Sequence, residues 1–144
     1  MSKKILIVED EIFVALEIEQ IVEDAGFTVS AIAADREAAL AGAVDCDIAL
    51  VDLNLRDGPT GPQIGVELAT RHGIRVIYVT ANPAQIGEAS VAALGVITKP
   101  FRAQSISAAL CLAANDQPDI ASADIAGFTP FLPRGSSNAM ESRG

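Results

Sequence analysis

Acids, one hydroxyl and one lysine stand at the ends of successive apolar runs in this sequence. Glu9 and Asp10 follow "ILIV" (5–8), Asp52 follows "DIALV" (47–51), Thr80 follows "RVIYV" (75–79) and Lys99 follows "VIT" (96–98). Three carboxylates gathered where the dielectric is reduced repel one another. A hard divalent cation resolves that repulsion. Mg2+ takes oxygen ligands, keeps several waters and usually uses one or two protein carboxylates directly. One carboxylate can then act as a nucleophile, and attack of its oxygen on phosphorus gives an aspartyl phosphate. A cation and a lysine neutralise the equatorial phosphoryl oxygens, and a threonine hydroxyl donates a further hydrogen bond. Each residue also has a plainer use. Asp10 is placed to cap a helix beginning near Glu11, and Glu9 and Glu11 favour that helix's positive end. Asp52 suits the turn before "NLRDG", Thr80 is an ordinary strand-end residue, and Lys99–Pro100 is a common turn dipeptide. Their recurrence at consecutive run ends is what the plainer uses leave unexplained.

For these groups to meet, the runs must be strands whose C-terminal ends share an edge. The runs 5–8, 47–51 and 75–79 are short, β-branched and continuously apolar, which is how strands buried on both faces of a parallel sheet read. "FTVSAIA" (27–33) is a weaker alternating strand and "VIT" (96–98) a very short fifth one. Helical stretches lie between them. Residues 11–25 place Ile12, Leu16, Ile18, Ile21 and Val22 at helical spacing, with Gly26 beyond the end. Residues 36–43 follow a capping Asp35, and 62–72 open on Pro62 and close on Gly73. The stretch 83–94 starts on a proline but carries Gly87, so only a weak or irregular helix is expected there; residues 101–115 form the fifth. Five such alternations predict a parallel sheet with helices on both faces. Ligands of such sheets bind outside the C-terminal strand ends. The periodicity stops after Asn115. We read 1–115 as the domain and 116–144 as a flexible tail, within which "GFTPFLP" is the one apolar patch able to dock.

Composition bounds the rest. The chain has 144 residues, which fits one domain, and it is half hydrophobic with 4% aromatic residues, so the core must be aliphatic. A net charge of −9 argues against nucleic-acid and anionic-membrane partners, which need clustered Lys and Arg. No apolar stretch approaches the roughly 20 residues of a membrane span. The N-terminal apolar run is too short for a signal-peptide core. A cytoplasmic location is expected, with Cys46 and Cys111 as small buried hydrophobes. The Ala-rich helix 101–114 leaves a homodimer through small-residue packing open.

The motifs "ILIVEDE", "DIALVDLNLRDG", "VIYVTAN" and "VITKPF", in that order, resemble the receiver domain of bacterial response regulators over residues 3–114. The resemblance implies a flavodoxin-like (βα)5 fold, a doubly wound five-stranded parallel sheet of order 2-1-3-4-5. It implies phosphorylation of Asp52 by a histidine kinase or phosphotransfer protein, with Mg2+ held by Asp10, Asp52 and the backbone carbonyl of Asn54, and by Glu9 often through water. Lys99 would pair with the phosphoryl group, Thr80 would hydrogen-bond to it, and the Lys99–Pro100 peptide would be cis. Ala81 would leave room for the incoming phosphohistidine, and Asn54 and Asn82 would flank the path of a hydrolytic water.

Three features depart from that pattern. The switch position three residues before the lysine, usually aromatic, is Val96, so the surface readout must differ. "TANPAQIGE" is short and puts Asn82–Pro83 directly after the threonine motif, and with "ITKPF" it is similar to the receiver portion of alphaproteobacterial general-stress regulators. The loop "LNLRDGPTGPQIG" after Asp52 is long and rich in Pro and Gly, and reads as a passive insertion. With no output domain expected after Asn115, the reading is a single-domain regulator. It would work by phosphorylation-dependent protein binding or by draining phosphoryl groups from a shared kinase. Two alternatives are a constitutive binding module that is not phosphorylated, and a Mg2+-dependent aspartyl phosphatase. Phosphatases of the haloacid-dehalogenase type carry a second Asp where this chain has Asn54, which cannot transfer the proton.

Overall fold

The computed structural model describes residues 3–131. Six strands form one sheet: β1 (Lys4–Val8), β2 (Thr28–Ala33), β3 (Ile48–Val51), β4 (Arg75–Thr80), β5 (Ala93–Thr98) and β6 (Phe128–Pro130). Their order is β2-β1-β3-β4-β5-β6, and the first five run parallel. Four α-helices accompany them: α1 (Ile12–Asp24), α2 (Arg36–Ala41), α3 (Gly61–His72) and α4 (Ala103–Ala114).

The central strands bury both faces, and alternation sorts their side chains. Leu6, Val8, Ala49 and Val51 join the core cluster that holds Ile64 and Leu68 of α3. Ile5, Ile7, Ile48 and Leu50 join the cluster that holds Ile18 of α1 and Ile106 and Leu110 of α4. Helices thus cover both faces. Asp35 caps α2, its carboxylate accepting from the Ala38 N–H at 2.9 Å. Gly73 closes α3 in the left-handed region at φ 65°. The inward stripe of α1 is Ala15, Ile18 and Val22, whereas Ile12 and Leu16, expected on that face, are 57% and 46% exposed. They sit beside the stripe: the 3.6-residue turn carries the 15–18–22 row inward and leaves them at its edge.

The sheet corrects the five-strand expectation. Its sixth strand comes from the segment read as tail and adds antiparallel to β5, pairing Gly95 with Pro130, Val96 with Thr129 and Ile97 with Phe128. Three residues are too few to show periodicity, so tertiary contacts specify this strand: Phe128 is buried in the cluster that holds Ile97, Ile106 and Ala109. Of the segment 116–144, residues 132–144 lie outside the described residues. The expected weak helix at 83–94 is two 3-10 turns, Pro83–Gln85 and Gly87–Ala92, and its last residues belong to β5, which starts at Ala93. Cys46 is half-buried and Cys111 exposed, so neither is the buried hydrophobe expected. Among the described residues, no helix is long and apolar enough to cross a membrane.

Candidate functional site

The parallel register brings the strand ends level. Val8 pairs with Val51, Val51 with Tyr78, and Thr80 with Thr98. The residues that follow leave the sheet on one edge, each fixed by its own backbone. The Glu9 N–H donates to the Ala33 carbonyl at 2.8 Å, that of Asp52 to Val8 at 2.9 Å and that of Lys99 to Thr80 at 2.9 Å. Gly61 is required beneath this edge, because a Cβ there would lie 2.0 Å from the Asp52 carbonyl oxygen.

Glu9, Asp10 and Asp52 each offer one carboxylate oxygen, all within 4.8 Å of one another. Lys99 reaches into the group, its Nζ donating to Glu9 Oε1 at 2.8 Å and to Asp52 Oδ2 at 3.2 Å. Asp52 Oδ1 accepts from the Leu53 N–H at 2.7 Å. Glu9 lies at the bottom and Asp10 at the mouth: the first is buried, the second exposed. Thr80 is buried, and its Oγ1 accepts from the Asn82 N–H at 3.0 Å. Asp10, Asp52, Thr80, Ala81, Asn82 and Lys99 line an open cavity of about 290 Å3, with Asn54 on its wall. The Lys99–Pro100 peptide is cis.

Burial pushes the Glu9 carboxyl up from 4.5 to about 7; the nearby Asp52 charge adds to the rise, and the Lys99 hydrogen bond opposes it. For Lys99, burial acts to lower its value, but hydrogen bonding and charge from Glu9, then Asp52, outweigh it and the net shift is upward. Three carboxylates thus face one ammonium. The cluster's donors are all oxygen, two of the three carboxylates are buried, and the Asp52 charge adds to the rise at Glu9. That donor set fits a hard divalent cation such as Mg2+.

Val96 stands apart from this group. It is buried in the sheet between Tyr78 and Thr129 and does not line the cavity. The aromatic volume at this level comes from its register partner Tyr78, whose hydroxyl donates to the carbonyls of Pro62 at 3.2 Å and Ala89 at 3.4 Å. Gln85, which holds the wall residue Asn54 from outside the lining, is a residue that the sequence reading missed. Its amide and that of Asn54 exchange hydrogen bonds of 3.1 and 3.3 Å. The sequence signal for it was Asn82–Pro83: the Gln85 N–H donates to the Asn82 carbonyl, closing a turn that brings the side chain back over the β3 loop. The loop after Asp52 is tied down, with Leu55 bridging Gly58, Thr60 Oγ1 donating to Asp57, and Asp57 accepting from the Arg36 N–H.

A doubly wound parallel sheet of this order, with acids, a threonine and a lysine converging at the C-terminal strand ends, defines the receiver class of signalling domain. The chain belongs to the response regulator receiver domain family, whose family model matches residues 5–111. It is 33% identical over 115 residues to the phyllosphere-induced regulator PhyR of Methylorubrum extorquens, covering 76% of this chain and 43% of that protein. Among solved structures it is similar to the response regulator PhyR of Brucella abortus, with 31% identity, a TM-score of 0.68, and coverage of 76% of this chain and 46% of that one. A variant of the anti-anti-sigma factor PhyR of Bartonella quintana is similar at 28% identity and a TM-score of 0.67, covering 76% and 47%. The chain thus spans less than half the length of these PhyR proteins.

Proposed function

We propose that Asp52 accepts a phosphoryl group from a phosphohistidine on a histidine kinase or phosphotransfer protein, and that the phosphorylated chain acts by binding another protein or by draining phosphoryl groups from a shared kinase. An Asp52 carboxylate oxygen donates its electron pair to phosphorus. The new P–O bond forms as the P–N bond to the donor imidazole breaks, and that electron pair returns to the imidazole nitrogen. Lys99, already 3.2 Å from Asp52 Oδ2, neutralises the transferred oxygens. Thr80 supplies a hydroxyl at the cavity wall, and Ala81 leaves the approach open. Asp10, Asp52 and the Asn54 carbonyl would hold Mg2+, with Glu9 beneath; when bound, the ion supplies charge neutralisation for the acid cluster and the phosphoryl oxygens.

The observation that carries this reading is the contact of Lys99 with both Glu9 and Asp52 inside a carboxylate cluster at the strand ends. A turnover phosphatase is disfavoured, because Asn54 occupies the place of an acid/base and its amide is engaged with Gln85. Similarity to PhyR proteins, one an anti-anti-sigma factor and another a stress response regulator, makes a protein of the stress-signalling kind the reasonable downstream partner. The net charge of −9 supports a protein surface over nucleic acid or anionic membrane, and a cytoplasmic location accords with a kinase as donor. Incubation with Mg2+ and acetyl phosphate should give one phosphoryl adduct by intact mass, absent from Asp52→Asn. No adduct, or an adduct that survives this substitution, would sink the proposal.

A further inference from the structure

The outer edge of β5 is covered by the chain's own C-terminal segment, and this cover is closely fitted at its seat. Gly95 has no side chain because one would not fit: a Cβ there would lie 2.5 Å from Phe128 Cζ and 2.5 Å from the Thr129 carbonyl oxygen. Buried Ser105 of α4 donates its hydroxyl to the Ala126 carbonyl. Gly127 turns the chain at φ 81°. The Thr98 N–H donates to the Gly127 carbonyl at 3.1 Å, and the Phe131 N–H to the Leu94 carbonyl at 2.9 Å. Phe128 enters the cluster on the α1 and α4 face, while Phe131 packs against the cluster on the opposite face. The segment therefore straddles the sheet edge.

The same strand serves the site. Thr98 is held by the segment, and the next residue, Lys99, is held through its N–H by Thr80 and through Nζ by Glu9 and Asp52. A phosphoryl group on Asp52 gives Lys99 and Thr80 new oxygens to meet, at the point where β5 divides between site and cover. The cover itself is a three-residue edge strand containing Pro130, which has no N–H to donate. A sheet edge freed of so short a cover accepts another extended chain.

Resting on the phosphorylation reading above, we propose that the β5 edge is a strand-accepting interaction surface, occupied in the unphosphorylated protein by residues 126–131 and freed by phosphorylation for an extended partner segment that places an aromatic side chain over Gly95. This gives the signal a route out of the site that needs no aromatic at Val96.

The test is hydrogen exchange on the full chain, with and without Mg2+ and beryllofluoride as the phosphoryl mimic. Exchange of the amides in 126–131 should accelerate about tenfold or more on mimic binding, a coupling of ordinary allosteric size, while those of β1 stay protected. By reciprocity Gly95→Ala, which unseats the cover, should bind beryllofluoride tighter by the same factor. A labelled peptide of residues 123–131 should bind Phe128→Ala, whose seat is intact, and fail to bind the Gly95→Ala/Phe128→Ala double variant. Mimic bound with unchanged exchange in 126–131, or peptide binding that ignores Gly95, overturns the strand-accepting edge alone. Failure of beryllofluoride to bind, together with absence of the Asp52 adduct, overturns the phosphorylation reading and this inference with it.

Discussion

Replacing Glu9 with glutamine tests the electrostatics of the site through stability alone. Glu9 is 3% exposed, so solvent screens it little. Its carboxyl is raised from 4.5 to about 7, chiefly by burial. Between those values the folded protein holds a proton that the unfolded chain has released, so stability falls as pH rises. The contribution is fully present below 4.5 and lost once the pH has passed about 7. At about 1.4 kcal/mol per unit, the whole loss is about 3 kcal/mol. The amide of the Glu9→Gln variant does not titrate and still offers an oxygen to Lys99 Nζ. The assay is urea denaturation in EDTA at several pH values from 5 to 8, with wild type and Glu9→Gln compared at each. Asp35 and Asp57 are lowered by their partners, so their titration falls below this window. The wild type should lose about 2–3 kcal/mol relative to the variant across the window, and saturating Mg2+ should remove much of that slope, because it binds the folded state and displaces the proton held there by the acid cluster, stabilising more as pH rises. Parallel curves for the two proteins in EDTA would refute the reasoning.

Three further perturbations probe other parts of the account. Lys99→Met should lower the acetyl phosphate adduct yield at least about tenfold, as loss of a transition-state charge partner does, while Mg2+ binding measured by calorimetry persists. Asn54→Ala and Gln85→Ala should each change the decay rate of the phosphorylated protein, and the double variant should match the singles, because both remove the same amide pair; additive effects would show that the pair does not act as a unit. Gly65→Ala should cost about 1–3 kcal/mol by urea denaturation, since its Cβ would lie 2.2 Å from Tyr78 Oη, and Tyr78→Phe in that background should recover part of the loss.

The sequence made the five parallel strands legible because each carries a β-branched apolar run or alternation, and it made the site legible because its acids, threonine and lysine sit directly after those runs. The level strand ends then follow from parallel register. What stayed hidden depended on contacts between distant residues. β6 is three residues long and becomes a strand only because Gly95 and Ile97 receive Phe128. Ile12 and Leu16 matched a helical period yet lie outside the buried stripe, since spacing fixes a face only to within a residue of its edge. Gln85 needed the turn after Asn82–Pro83 to become a partner of Asn54. The irregularity of 83–92 was readable, because Pro83 and Gly87 both weaken a helix there.

The central claim is that the carboxylate of Asp52 carries the phosphoryl group. Borohydride reduces an aspartyl phosphate to homoserine, which marks the acceptor permanently. After treatment of the full chain with acetyl phosphate and Mg2+, reduction and peptide mapping should place homoserine at position 52, and omission of Mg2+ should abolish it. Homoserine in place of Asp10 or another acid, or a phosphoryl group recovered on a hydroxyl side chain instead, would contradict the account.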